Sequence, residues 1–206
     1  AAVDLPVTVK CRIGIDDQDI EAPLDRFVGG VAEAGAGAVI VHARKAWLNG
    51  LDPKQNREIP PLDYDRVHRL KARFPTLPIV LNGGLKSLEE ALPHLDVVDG
   101  VMLGRAAYQT PAILGEVDRL FYGAEATTSA TDAVVAMRPY IAAELAEGAP
   151  LNRITRHMLG LFQGQRGARA FRRIMTEESR LPGAGLEVLD RALSALEPED
   201  VAARAA

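Results

Sequence analysis

The sequence predicts an α/β sheet of four successive βα units followed by an all-α segment. Three observations carry this: four short apolar runs that each end in polar or glycine residues, stretches at helical spacing between them, and the loss of any strand signal beyond residue 131. Continuous apolar strands alternating with helices imply a parallel sheet buried on both faces, with right-handed crossovers. Four such units suit half of a (β/α)₈ barrel or an open doubly wound sheet, and periodicity does not choose between them.

The first strand is read at Val7 to Cys11, inside Leu5-Pro6-Val7-Thr8-Val9-Lys10. It has almost no lead-in, which gives the expectation that upstream sequence is missing. A helix from Asp25 to Ala34, closed by Gly35, leads to the second strand, Ala38 to His42. The stretch Lys45 to Pro61, with Trp47, Gly50, Lys54, Arg57 and the Pro60-Pro61 pair, is too long for a bare βα connection. A long loop at the ligand edge is expected to be functional. Next come a helix from Tyr64 to Phe74 closed by Pro75, a strand from Ile79 to Asn82, a helix from Leu88 to Leu92, a strand from Val101 to Leu103 and a helix from Pro111 to Phe121. Ala124 to Thr131, rich in Ala, Thr and Ser, reads as a linker.

Beyond it, apolar residues recur at helical spacing in four groups: Val134, Met137, Ile141 and Leu145; Leu151, Ile154, Met158 and Leu161; Phe171, Ile174 and Met175; Leu186, Leu189, Leu193 and Leu196. A four-helix domain is the natural reading. The expected division is therefore residues 1–123, a linker at 124–131, and a helical domain at 132–206.

With 206 residues, 48% of them hydrophobic and 25% charged, the chain has room for one large or two small domains with a buried core. The single cysteine, Cys11, excludes an internal disulfide, makes a reducing cytoplasmic setting the default, and no metal site is expected. Runs such as Ala36 to Val41 are far shorter than the roughly 20 apolar residues that cross a bilayer. A net charge of −4 argues against a uniformly basic nucleic-acid coat. Yet Leu151 to Arg180 carries seven arginines against Glu177 and Glu178, a net +5 that leaves the rest of the chain at −9. That asymmetry points to a polyanionic partner.

In the first half every polar residue of interest closes a strand: Lys10 and Arg12, His42 and Arg44, Asn82 with Gly83 and Gly84, Gly104 with Arg105. In parallel α/β architectures that edge binds ligands. Asn82-Gly83-Gly84 and Leu103-Gly104-Arg105, which end the last two strands, suit a phosphate held on backbone N–H groups, with Arg105 adding charge, and suit plain tight turns as well. Lys10 could be a fixed cation against a flavin or phosphate, or a lysine that snorkels out to water. His42 taken alone reads as a satisfied structural histidine. Cys11 follows Lys10 and should point to the opposite face of the strand, into the core.

At these residues the chain resembles the bacterial A-type tRNA-dihydrouridine synthases. The resemblance runs through Val7-Thr8-Val9-Lys10-Cys11-Arg12-Ile13-Gly14, Ile40-Val41-His42-Ala43-Arg44-Lys45-Ala46-Trp47-Leu48, Asn56-Arg57-Glu58-Ile59-Pro60-Pro61-Leu62, Leu81-Asn82-Gly83-Gly84 and Gly100-Val101-Met102-Leu103-Gly104-Arg105-Ala106-Ala107-Tyr108. In the helical part it continues through Met158-Leu159-Gly160-Leu161-Phe162 and Gly167-Ala168-Arg169-Ala170-Phe171-Arg172-Arg173. It implies the C-terminal half of a (β/α)₈ TIM barrel with FMN at its mouth, followed by an all-α helical domain that helps to hold tRNA. It implies reduction of uridine to 5,6-dihydrouridine in tRNA, with NADPH as electron donor and a cysteine thiol protonating C5. Carried over by motif, Lys10 and His42 contact the flavin, Asn82, Gly83, Gly84, Gly104 and Arg105 hold its phosphate arm, and Lys54, Arg57, Arg169, Arg172 and Arg173 touch tRNA. The family's acid cysteine sits in an Asn-x-Gly-Cys-Pro type loop after the fourth strand, and no such motif occurs here. Cys11 stands in another motif, so the expectation is a chain without its own catalytic acid, partnered by a missing N-terminal half of the same barrel. Two other readings remain: a fragment that binds FMN or tRNA without activity, and a flavin barrel acting on a free small molecule, against which the basic helical tail argues.

Overall fold

Four parallel strands, β1 (Thr8–Arg12), β2 (Ala38–His42), β3 (Ile79–Asn82) and β4 (Gly100–Met102), form one sheet in the order β1-β2-β3-β4. Helices α1 (Ala22–Glu33), α2 (Tyr64–Arg73) and α3 (Leu88–Ala91) alternate with them. This is a computed structural model that describes residues 4–196. Its chain divides into two units, and the division falls between Gly104 and Arg105.

Strand pairing sets which side chains share a face. Val9, Val39 and Ile79 are in register, as are Cys11, Val41, Leu81 and Val101. Val39, Val41, Ile79 and Leu81 are fully buried, and Leu24 and Val28 of α1, Val67 and Leu70 of α2, and Leu88 and Ala91 of α3 are buried as well. Each fully buried Val, Leu or Ile adds about 1.5–3 kcal/mol relative to exposure. Because the side-chain period of a strand is two, the opposite face carries Lys10, Ile40, Val80 and Gly100 in one row, and Arg12, His42, Asn82 and Met102 in the next. Of these only His42 is buried. The sequence predicts a sheet buried on both faces; within this unit the helices bury one face and leave the other half open.

Two polar clamps hold the helices in place. Asp63 caps α2 by accepting from the Arg66 N–H at 2.8 Å. The Arg66 side chain, only 1% exposed, donates to the Ile20 carbonyl at 2.8 Å, to the Glu21 carbonyl at 3.1 Å and to Asp25 at 2.5 Å, tying α2 to the start of α1. Asp99, ahead of β4, accepts from the Ile79 N–H at 2.8 Å and from Lys71 at 2.8 Å. Burial alone would raise the Asp99 carboxyl, but the Ile79 N–H and Lys71 outweigh it and hold the group below the usual carboxylate range.

The second unit is helical: α4 (Arg105–Gln109), α5 (Val117–Tyr122), α6 (Ala130–Ala146), α7 (Leu151–Thr155), α8 (Ala168–Glu177) and α9 (Leu186–Ser194). Val134, Ile141, Leu151, Phe162, Phe171, Met175 and Leu189 form its core, with the rings of Phe162 and Phe171 edge to face at 4.7 Å. Ser129 and Asp132 form a capping box that starts α6 inside the stretch read as linker. The predicted helix at Pro111 opens instead as a 3₁₀ turn, Pro111–Glu116, before α5. The helical spacing from Leu151 to Leu161 does not give one helix either. Helix α7 stops at Thr155, and residues 156–164 run as turns up to Gly164, whose φ of +89° a helix does not accommodate. No described helix is long and apolar enough to cross a membrane.

Candidate functional site

The C-terminal edge of the sheet gathers the predicted residues of the first unit. His42 and Asn82 are register partners on the half-open face, and Lys10 sits on that face two residues before Arg12. Lys10 is exposed. Partial desolvation nonetheless lowers its pKa, nearby Arg12 lowers it further, and Cys11 offsets part of this. Asn82 gives one amide N–H to the Met102 carbonyl at 2.7 Å, so part of its role is to hold β4.

The turn after β3 requires glycine twice. Gly83 has φ +118°, and a Cβ there would lie 2.8 Å from the His42 ring. Gly84 has φ +74°, and a Cβ there would lie 2.5 Å from Leu62. The Gly83 carbonyl is fixed by the Tyr64 hydroxyl, which donates at 2.6 Å. Among the described residues neither the Gly83 nor the Gly84 N–H donates to a backbone carbonyl. The turn thus offers two backbone donors beside His42, a chemistry that fits the phosphate arm of a flavin nucleotide. Gly104 has open space where a Cβ would stand. Arg105 opens α4 and so belongs to the second unit.

The long loop after β2 is pinned to the loop after β1. Ile15 and Ala46 bridge in parallel, the Asp16 N–H donates to the Ala46 carbonyl at 2.7 Å, and the Asp16 carboxylate accepts from the Leu48 N–H at 2.8 Å. Asn56 spans the loop: its side chain accepts from the Trp47 N–H at 2.8 Å and donates to the Trp47 carbonyl at 2.6 Å. Arg12 reaches in from β1 to the Lys45 and Asn56 carbonyls at 2.8 and 2.9 Å, while Arg44 donates to the Pro60 carbonyl. Burial first, then the positive charges of Arg44 and Arg57, lower the Arg12 pKa. A cationic patch therefore lies at this edge, with Lys54 and Arg57 exposed on the loop. The sequence marked Arg12 and Arg44 only as strand-end polar residues; their part in anchoring the loop depends on carbonyls 16 to 44 residues away, which no local pattern shows.

Cys11 lies on the other face, in the row of Val41 and Leu81. Burial pushes its thiol up to about 11, against a smaller opposing pull from Lys10. A thiol of that kind, facing the helices, is poorly suited to give a proton to a ligand on the Lys10 face. Among the described residues no three His, Cys, Asp or Glu side chains are placed to hold a metal ion.

In the second unit Arg169, Arg172 and Arg173 are all exposed on α8, opposite Ala168, Phe171 and Met175, which are buried. Arg173 has an i,i+4 partner, Glu177, at 3.8 Å, a contact of little strength at the surface. The helix thus presents an arginine face to solvent.

Residues 1–197 match the sequence family described as Dihydrouridine synthase (Dus). The chain is 54% identical over 201 residues to a tRNA-dihydrouridine(20/20a) synthase of Shewanella oneidensis, which covers 97% of this chain and 60% of that protein. It is 58% identical over 193 residues to the enzyme of the same name from Salmonella typhimurium, and 56% identical over 193 residues to that from Escherichia coli K12. In each of those two cases 93% of this chain is covered, and 58% and 56% of the relative respectively. The chain spans about 60% of the length of the curated relatives it matches. With a family match over nearly all of its residues, and relatives more than half identical throughout, the chain belongs to the dihydrouridine synthase family.

Proposed function

We propose that this chain serves the reduction of uridine to 5,6-dihydrouridine in tRNA, the reaction named for its relatives, and that it supplies the flavin phosphate cradle and part of the tRNA surface. The observation that carries the reading is the C-terminal sheet edge, where Lys10, His42 and the Gly83-Gly84 turn share one open face of a parallel sheet. FMN bound there would supply the hydride, with NADPH as its electron donor. Lys10 would hold a fixed positive charge beside the flavin ring, His42 would pack over the Gly83 turn, and the turn's N–H groups, with Gly104 and Arg105, would take the phosphate. Lys54 and Arg57 on the pinned loop, and Arg169, Arg172 and Arg173 on α8, would contact tRNA phosphates.

The sequential order β1-β2-β3-β4 supports the C-terminal half of a (β/α)₈ barrel over a doubly wound sheet, whose strand order reverses at a switch point. In this reading residues 1–123 descend from the barrel, 124–131 connect, and 132–206 form the tRNA-binding domain. The division by descent and the division into compact units fall at different residues, because α4 and α5 pack with the helical unit. A cytoplasmic location follows from the tRNA substrate.

One observation favours a second reading, in which the chain binds flavin or tRNA without turning over by itself. Cys11 faces away from Lys10, and burial keeps it a neutral thiol. Losing a positioned general acid typically costs about 10²- to 10⁴-fold in rate. The deciding assay is dihydrouridine formation on unmodified tRNA with FMN and NADPH, run with the chain alone and with a separately expressed segment of a relative that carries the cysteine loop. Activity only with the added segment supports the first reading with a supplied acid. No activity in either mixture, with tRNA still bound, supports the second. Activity from the chain alone that Cys11→Ala abolishes would overturn the assignment of Cys11.

A further inference from the structure

Within the helical unit, the end of α4 and the turns after α7 border an open pocket of about 370 Å³, lined by Tyr108, Thr110, Arg156, His157, Leu159 and Gln163 among others. That volume falls within the roughly 300–1,000 Å³ of small-ligand clefts. The pocket is built rather than incidental. Gly160 lies so close to α4 that a Cβ would stand 1.9 Å from the Gln109 carbonyl oxygen, so a bare backbone at this position brings the two walls together.

The polar groups form a chain. The Arg156 Nε–H donates to His157 Nε2 at 3.0 Å, and His157 Nδ1 lies 2.9 Å from the Tyr108 hydroxyl. A ring nitrogen that accepts from a guanidinium carries no proton, so the proton sits on Nδ1 and is donated to the Tyr108 oxygen. The Tyr108 O–H is then directed away from His157 as a donor. The two rings meet edge to face at 5.8 Å, which fixes the Tyr108 ring while leaving the side chain 61% exposed. Arg156 is itself exposed, and among the described residues no carboxylate pairs with it. The result is a flat aromatic surface held in place, a guanidinium with N–H groups to spare, and the Gln163 amide on the rim.

A neighbouring pocket of about 200 Å³ shares Arg156 and Leu159 and adds Asn152, Thr176 and Arg180. Thr176 lies on α8, the helix of the arginine face. The two pockets meet at Arg156 and Leu159 and so make a groove from Tyr108 to Arg180; apart from Tyr108, Gln109 and Thr110 its lining comes from the segment of seven arginines and two glutamates.

We propose that this groove holds an unpaired nucleotide of tRNA, with its base stacked on Tyr108 and its phosphate on Arg156, the following phosphate running toward Arg180. The inference rests on the reading that the chain binds tRNA. Stacking of a splayed base on an aromatic ring, combined with arginine contacts to the backbone, is how proteins take hold of single-stranded RNA. An acidic peptide would use the arginines but leave the exposed Tyr108 ring without a role.

The test uses the full 206-residue chain and two probes, unmodified tRNA and uridine 5′-monophosphate. Mononucleotide binding is followed through the NMR resonances of the His157 ring, and tRNA binding by fluorescence anisotropy. The expected result is a saturable shift of the His157 signals by the mononucleotide, lost in Tyr108→Ala and Arg156→Ala and kept in Tyr108→Phe. Tyr108→Ala should weaken tRNA binding roughly 5- to 150-fold, the range that base–aromatic stacking supplies. Arg169, Arg172 and Arg173 together changed to Ala should weaken tRNA binding while leaving the mononucleotide response intact. The proposal is overturned if the wild-type chain and both alanine variants bind tRNA alike and the mononucleotide leaves His157 unmoved. If the mononucleotide binds but the wild-type chain does not hold tRNA, the pocket stands as a nucleotide site and the tRNA reading fails. If neither probe binds, both fail. The substituted side chains are all exposed, so a matching thermal melt for each variant separates weakened binding from a damaged fold.

Discussion

Two single residues show how strand parity and burial decide chemistry. Cys11 is one position from Lys10 and therefore on the other face, where desolvation lifts its thiol from 9.0 to about 11. At neutral pH the folded chain should hold about 100-fold less thiolate than an ordinary cysteine, so a disulfide reagent such as Ellman's should label it correspondingly slowly, and at the ordinary rate after denaturation. Because the folded pKa is the higher one, the Cys11 contribution to stability is constant below pH 9 and declines as pH rises toward 11, where the unfolded thiol ionises first. Urea titrations of wild type and Cys11→Ala across that range should converge as pH rises; parallel curves would mean the thiol is solvated. Arg66 is the opposite case, a buried charge whose partners reach it from partly exposed positions. Arg66→Met removes three hydrogen bonds that tie α2 to residues 20–25 and should cost about 3 kcal/mol in denaturant unfolding. That cost should change little between low and high salt, since the guanidinium is buried and two of the three bonds go to uncharged carbonyls. Nothing in the sequence marked Arg66, because its partners lie 41 to 46 residues away.

At the scale of elements, α8 joins an apolar face to an arginine face, and both were legible from spacing. Replacing Arg169, Arg172 and Arg173 with Ala should weaken tRNA binding and lower its log–log salt slope by about 0.9 for each phosphate no longer neutralised. An unchanged slope would show that the three are merely hydrated. Strands β2 and β3 fall where the apolar runs place them, since a run of β-branched residues ending in a polar one has no better conformation. The turns at 156–164 were not legible. Leu151, Ile154, Met158 and Leu161 keep helical spacing, and three of them are buried, but Gly164 takes a left-handed φ and the close approach of Gly160 to Gln109 sets the path. The Tyr108–Arg156–His157 cluster depends on that path, which is why no motif announced it.

For the whole molecule, the sequence revealed a parallel α/β sheet and a helical tail but not how differently the two sheet faces are covered. The continuous apolar runs implied burial on both faces, and parity separated only Cys11 from Lys10; the register showed that Lys10, Ile40, Val80 and Gly100 form one half-open row. A flavin resting on that row would have protein on one side. The 206-residue chain should therefore bind FMN with a Kd of about 1 μM or weaker in a fluorescence titration, a binding energy of about 8 kcal/mol at most. Flavin that copurifies one to one and survives dialysis would show a pocket more enclosed than the sheet suggests. The sequential strand order also bears on the entropy of folding. Paired strands begin contact 30 residues apart for Thr8 with Ala38, 40 for Val39 with Ile79 and only 20 for Val80 with Gly100. Each doubling of a loop adds about 0.6 kcal/mol to the entropy of closing it, so pairing β3 with β4 costs the least and pairing β2 with β3 the most, by about that amount. The widest span, between β2 and β3, is the one holding Lys54 and Arg57, so the segment proposed to meet RNA is also the one whose closing costs the chain the most freedom.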